Sequence, residues 1–418
     1  MSKTLMIKAM VLGAVACAFS ATGFAADVQN GHGQGIADYT TEVNAAKHEA
    51  VRSNWMDRTD IVVGVGMKDS KETHSQHHYV GESSMRHDDL HTVTSKSLKS
   101  TEINKLYIET LQPITHYDEN AKSVVFVQGR IGRSGEKILS YKLDSYLEPA
   151  RPAGTFITHD KQTDTKESLG MNANIGIGYR RLSKGEHAYV GVNAFYDHVF
   201  KGGYKRVSGG VEYVAGLNEF HANLYRNLGT DERKYIGLHG RSVVLGDPTG
   251  LYPYGMDPDQ SLYNYGIAAY ENHWMLSEKV AASGFDVGYS RTFKNARWAR
   301  VYADYYNWRG REAVRVGYYK LNKRDAIKGF NVGAEFHITP HLTLDAGYQT
   351  SSHHLSGPYA TLKYTIGTSK FAWRGGKHSE SVITTARSKM LDKVHRSDMV
   401  VQETVEDIYE QQFVDVGL

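Results

Sequence analysis

The side chains able to do chemistry in this chain fall into three groups: histidines near the N-terminal end, histidines and carboxylates spaced along the middle, and a charged tail. The first group is His74, His77, His78, His87 and His91. Neutral imidazole suits zinc or copper. No cysteine accompanies these residues, however, and no regular i, i+4 pairing sets two of them on one helix face, so the stretch reads as a solvated linker and no metal is expected. The second group is His221 and His337 with Asp286 and Asp345. A nucleophilic hydrolase also needs a serine within reach of the histidine and an oxyanion partner. The chain has no GxSxG or similar signature, so such dyads arise by chance among so many polar side chains, and no catalytic residue is expected. The glycine-rich run Gly31, His32, Gly33, Gln34, Gly35 has no strand before it and no Lys-Ser/Thr after it, so it is no phosphate loop and no cofactor is expected.

The third group is the tail. Arg374, Lys377, Arg387, Lys389, Lys393 and Arg396 alternate with Glu380, Asp392 and Asp398, charges that call for partners such as Glu212, Glu335, Asp304 and Arg300. What positions those partners is a repeated two-residue period. In AYVGVNAFYDHVFKGGYKRVSGGVEY, Val190, Val192, Ala194 and Tyr196 share one face, and Tyr189, Gly191, Asn193, Phe195 and Asp197 the other; after a turn, Val207, Gly209, Val211 and Tyr213 oppose Arg206, Ser208, Gly210 and Glu212. This is a β-hairpin. The period recurs over residues 103–114, 123–132, 169–181, 220–225, 285–290, 299–306, 330–337, 342–349 and 357–367.

The polar face carries both signs of charge on strand after strand, which a packed core does not accept without the large cost of unpaired buried charge. A barrel lumen does accept it. Tyr179, Tyr213, Tyr289 and Tyr348 at strand ends fit the aromatic girdles of an outer-membrane barrel. A soluble sandwich, with the charged face in water, is the competing architecture.

Export is expected from residues 1–25: Lys3 and Lys8, an apolar run over 9–19, then Gly23-Phe24-Ala25, with cleavage before Ala26. The apolar run is shorter than the roughly 20 residues of a spanning helix, and Ala14-Val15-Ala16 is a poor lipidation box before Cys17. Cys17 is the single cysteine, so the mature chain is expected to have no disulfide. Tyr 28, Gly 41 and Pro 8 are the proportions of a large β protein. Forty-nine Lys+Arg against 46 Asp+Glu give no electrostatic case for nucleic acid.

Connections at 183–186, 216–219, 294–296 and 340–341 are tight, whereas 133–167, 229–282 and 309–327 are long. They fall on opposite rims, and in outer-membrane barrels the long loops face outward. Parity from a periplasmic N-terminus requires one more strand before 103, assigned to 91–98, giving about twelve. The expected organisation is all-β: a signal at 1–25, a short polar, His-rich and partly disordered periplasmic segment at 26–90 with a helix over 41–56, an antiparallel transmembrane barrel at 91–367, and a tail at 368–418 in the pore.

From about Leu106 onward the chain resembles the translocator barrel of the intimin and invasin family, the inverse autotransporters. The likeness rests on GVNAFYDHVF followed by RVSGGVEY, ASGFDVGY, VYADYYN, GFNVGAEFHITPHLTLDAGY, and a tail with MLDKVHRSDMVVQE. It implies a twelve-stranded barrel that exports C-terminal adhesin domains through its own pore. Two departures from the family are expected: no passenger after the tail, and no lysin-motif domain over 27–91. The expected function is therefore an outer-membrane barrel of this type acting in surface attachment or as a translocator-like barrel, plugged by its tail. A porin is the alternative, and an outer-membrane hydrolase the more distant one. Expected partners are outer-membrane lipid, periplasmic chaperones and the barrel-assembly machinery, with host surface or glycan contacted through the long 229–282 loop; the barrel is expected to be a monomer.

Overall fold

The structure, a computed structural model, describes residues 54–80, 87–118, 120–150, 155–228, 232–244, 267–310, 314–316, 319–321, 325–352, 356–367, 372–375 and 386–415. The expected signal, the glycine-rich run and all but the last residues of the 41–56 helix lie outside them. A 3-10 turn at Met56–Arg58, capped by the Asn54 carboxamide on the Met56 N–H at 2.7 Å, opens the described chain.

Strands β1 (Thr59–Val80), β2 (His87–Pro113) and β3 (Ser123–Arg133) lead into a hairpin of β4 (Glu136–Ala150) and β5 (Thr155–Ser168). Four strands follow with short connections: β6 (Met171–Leu182), β7 (Ala188–Val199), β8 (Lys205–Ala215) and β9 (Asn218–Asn227). A second long hairpin, β10 (Glu232–Val244) and β11 (Ile267–Ala281), precedes β12 (Gly284–Phe293) and β13 (Ala296–Trp308). After the small pair β14 (Val314–Val316) and β15 (Tyr319–Leu321) come β16 (Ile327–His337), β17 (Leu342–Gln349), β18 (Gly357–Thr365) and, last, β19 (Val400–Asp415).

Twelve of these close a wall of antiparallel neighbours, β1-β2-β3-β6-β7-β8-β9-β12-β13-β16-β17-β18, sealed by β18 against β1 from Asp60↔Thr365 to Gly66↔Tyr359. Closure leaves no edge in the wall, the condition for β-structure in lipid. The outward face is apolar: Val190, Val192, Val211 and Leu224 are exposed, while Tyr189, Phe195, Asp197 and Glu212 on the other face are buried. Outward aromatics meet across strands, Tyr213–Phe220–Tyr289 with ring centroids 6.4 and 4.8 Å apart and Phe285–Tyr305–Phe330 at 6.0 and 5.1 Å. Inward glycines make room for large neighbours; a Cβ on Gly176 would collide with the ring of Phe195, its register partner.

The first wall strand is not the segment 91–98. That segment is part of β2, and the strand before it is β1, which takes in His74, His77 and His78. The polar segment expected over 26–90 thus ends, in the described chain, before Thr59. β1 escapes a period-two reading because Ile61, Val63 and Val65 face outward while the inward positions are Val62, Gly64 and Gly66, small or apolar on both faces. Its distal half is polar on both faces because it stands above the barrel and pairs with β2 and β5 instead of facing lipid.

At the rim opposite the tight turns, a sheet continues upward from β1: β5 on β1, β4 on β5, β19 parallel on β4, β11 antiparallel on β19, and β10 on β11. The tail therefore does not stop in the lumen, since its last strand belongs to this upper sheet.

Candidate functional site

The lumen is built where inward side chains of the wall meet residues 386–400. At the tight-turn rim, a 3-10 turn over Ala386–Lys389 docks on the β2–β3 and β6–β7 connections. Arg387 is buried and donates two parallel hydrogen bonds to Glu186, Nε–Oε2 at 2.9 Å and Nη2–Oε1 at 2.8 Å, and a third to the Ala121 carbonyl at 2.6 Å. Glu186 has φ of 58°, the left-handed region that a β-carbon disfavours, and this conformation holds its carboxylate toward the tail. Tyr117 donates to the Arg387 carbonyl at 3.3 Å, and burial pushes its phenol up to about 12, so it stays a neutral donor. Above this turn Ala386, Met390 and Val394 pack with Leu111, Phe126, Leu182, Tyr189, Phe195 and Val214 as an apolar floor.

The next residues are held largely by their main chain. Arg180, fully buried and fixed by Glu212 (2.5 and 3.0 Å), donates to the carbonyls of Met390 at 2.8 Å and Asp392 at 2.6 Å. Asn223 donates to the His395 carbonyl at 3.0 Å, and Arg206 to those of Ser397 at 3.1 Å and Asp398 at 3.3 Å. The Ser397 N–H donates to Tyr225 Oη at 2.8 Å, and the Val394 N–H to Gln128 Oε1 at 2.8 Å. Side chains of the wall thus satisfy peptide groups that water would otherwise take.

Side-chain pairs fix the register. Lys389 bonds Glu219 at 2.5 Å, Lys393 pairs with Asp60, and Arg396 makes a two-pronged pair with Asp197 at 2.7 and 2.6 Å. Asp398 lies between Arg130 at 2.6 Å and Lys105 at 3.3 Å. Arg396 also lies over the Phe195 ring, 4.5 Å from its centroid. Buried pairs of this kind are tolerated because each charge is met by hydrogen bonds as well as by an opposite charge.

The expected charge partners are rearranged. Glu212 serves Arg180 rather than a tail residue, and Glu335 takes Arg300 and Lys363. Asp304 lies 3.6 Å from His221. Arg300 does reach the tail, donating to His395 Nε2 at 2.6 Å; because a guanidinium only donates, that nitrogen is the acceptor. The partners that sequence reasoning missed are Asp60, Glu186, Asp197, Glu219, Arg130 and Lys105. Asp197 and Lys105 were legible on expected strands, whereas Asp60 needed β1 in the wall.

Of the histidine–carboxylate residues, Asp286 accepts from Asn223 at 2.7 Å and Tyr225 at 2.6 Å, with His221 at 3.9 Å, beyond hydrogen-bond reach. His337 meets Thr343 at 2.9 Å, and Asp345 accepts from Tyr302 at 2.6 Å. Both carboxylates are engaged by side chains of the wall. His74 bonds Glu72 at 2.9 Å on the part of β1 that stands above the barrel; His77, His78, His87 and His91 lie on β1 and β2, and only their backbone is described.

Beside the tail lies a cavity of about 290 Å³, lined by tail residues such as His395 and Asp398 and by Lys105, Tyr302, Asp345 and Lys363 of the wall.

The family model described as "Inverse autotransporter, beta-domain" matches residues 160–398, more than half of the chain, and ends where the tail leaves the lumen. A comparison with curated proteins finds no match. Among solved structures, similarity extends to a chain described under "Unveiling the Mechanism Behind the in-meso Crystallization of Membrane Proteins" (13% identity, 82% of this chain and 100% of that one, TM-score 0.44). It extends also to the translocator domain of autotransporter NalP from Neisseria meningitidis (11% identity, 79% and 95%, TM-score 0.20) and to the β domain of the Bordetella autotransporter BrkA (8%, 72% and 99%, TM-score 0.20). The chain belongs to the inverse autotransporter β-domain family and is a transmembrane β-barrel of the Gram-negative outer membrane.

Proposed function

We propose that this barrel is a translocator for its own C-terminal segment: it passes that segment from the periplasm to the cell surface and then keeps residues 386–399 in the lumen as a plug. The observation that carries this reading is the carbonyl grip. Arg180, Asn223 and Arg206 hold the tail by peptide oxygens that every residue has, which suits a conduit through which different side chains pass in turn. The side-chain pairs at Lys389, Lys393, Arg396 and Asp398 are particular to the segment that remains. They act as the stop.

In this reading the tight turns face the periplasm and the long hairpins the outside. The protein is delivered by periplasmic chaperones to the barrel-assembly machinery and works as a monomer. Surface attachment falls to the upper sheet. The cavity beside the tail favours a second, minor role, passage of water and small ions.

The test is an epitope appended after Leu418. Antibody applied to intact cells should bind it. Binding only after the outer membrane is permeabilised would contradict export of the tail.

A further inference from the structure

Above the barrel, β19 lies in a sheet between two strands from different surface hairpins. Val400–Asp407 pairs in parallel with Glu136–Leu143 of β4, and Val401–Asp415 pairs antiparallel with Ile267–Ala281 of β11. The other side of β4 is taken by β5 and the other side of β11 by β10. Removal of β19 therefore leaves β4 and β11 with two backbone edges facing one another across one strand's width, ~10 Å at 4.8 Å per ladder. Such edges are templates for an extended chain. The slot begins where the lumen ends: the Glu136 N–H donates to the Met399 carbonyl at 2.9 Å and the Ala282 N–H to the Val400 carbonyl at 2.8 Å, so the chain passes from side-chain grip to strand pairing without a break.

The lower part of the slot is also shaped for its occupant. Glu403 is held by Lys137 of β4 at 2.8 Å and Lys279 of β11 at 3.0 Å, one cation from each edge. Met399 and Val401 pack with Leu169, Val199 and Ala281 at the mouth of the barrel.

We propose that the β4–β5 and β10–β11 hairpins are a strand-capture device: as the chain leaves the pore, it is taken between β4 and β11 by strand addition, and this pairing prevents it from sliding back. The partner is an extended segment of this same chain, recognised by main-chain hydrogen bonds on both edges and set in register by the carboxylate of Glu403. The inference rests on the tail reaching the surface through the pore and adds what holds it there. Over Val400–Asp407 the emerging chain gains a ladder partner on β4, and from Val401 to Asp415 one on β11.

Two measurements on the full-length chain test it, with Cys17 changed to Ser and barrel folding checked by heat-modifiable gel mobility. First, the opposed pair Val280→Cys and Gln402→Cys should form a disulfide on oxidation of intact cells; failure to form one in a folded barrel of low conductance overturns the slot while leaving the threaded lumen standing. Second, replacing residues 233–278 with a short Gly-Ser turn removes one edge. The expected result is a folded barrel whose C-terminal epitope is several-fold less accessible from outside. Unchanged accessibility overturns capture. A large, steady conductance from the unaltered protein would instead contradict the threaded lumen itself, so the two failures are told apart.

Discussion

Arg396 of the tail and Asp197 of β7 form a two-pronged ion pair, Nη1–Oδ1 2.7 Å and Nη2–Oδ2 2.6 Å, with both side chains buried. Asp197 also accepts from Arg206 at 2.9 Å, and Arg206 in turn grips the tail carbonyls. One wall carboxylate therefore anchors the tail twice, once directly and once through the arginine that it orients.

Removal of that carboxylate strands two buried guanidinium groups, whereas removal of Arg396 strands none. Asp197→Asn is expected to cost about 3–5 kcal/mol, the usual penalty for breaking a buried pair, and Arg396→Met less, since its stem still packs on Phe195. The midpoint temperature of the gel-mobility shift should fall further for Asp197→Asn. An equal fall would mean that Arg206 does not depend on Asp197.

Glu186 combines a strained backbone with a partner for Arg387. Glu186→Gly and Glu186→Ala both lose the ion pair, but only glycine relaxes a φ of 58°. The glycine variant should be more stable than the alanine variant by about 1 kcal/mol. Periplasmic protease should cut near Arg387 more readily in both than in the unaltered chain.

The attachment of β19 should depend on pH. Burial alone would raise the carboxyl of Glu403, but hydrogen bonds from Lys137 and Lys279 outweigh it and hold the group below its ordinary value. A carboxyl depressed in the folded state stabilises above its unfolded value, and that contribution is lost as pH falls through the lowered folded value. Limited proteolysis of 400–415 on intact cells should accelerate on acidification from neutral pH to below the ordinary carboxylate range. Glu403→Gln should weaken the neutral-pH protection and remove most of the acid step.

Orientation has its own check. Protease added to intact cells should cut within 133–167 or 229–282, and not at the connections 183–187 or 216–217. Cleavage confined to the tight turns would invert the barrel.

The wall was legible where one face is apolar and the other charged, as in Val190, Val192 and Tyr196 against Asp197, and the alternation of tight and long connections gave the strand parity. β1 was not, because after Asp60 its inward positions are Val62, Gly64 and Gly66, which carry no polar alternation, and its upper half never meets lipid. β19 was not legible either: its Gln, Glu and Asp residues carry no strand alternation, since both of its edges and not one apolar face hold it. The charges of the tail were readable as lumen groups. Their partners were not, because Lys393–Asp60 and Arg387–Glu186 join residues more than two hundred positions apart or a turn with a tail.

The most direct measurement is single-channel conductance in planar bilayers, comparing the full chain with one ending at Gly367. With residues 386–399 in the lumen, the full chain should show only the small conductance allowed by the cavity beside the tail, and the shortened chain a large and steady one. Large, steady conductance from the full chain, unchanged by the deletion, would contradict a plugged translocator and identify an open pore.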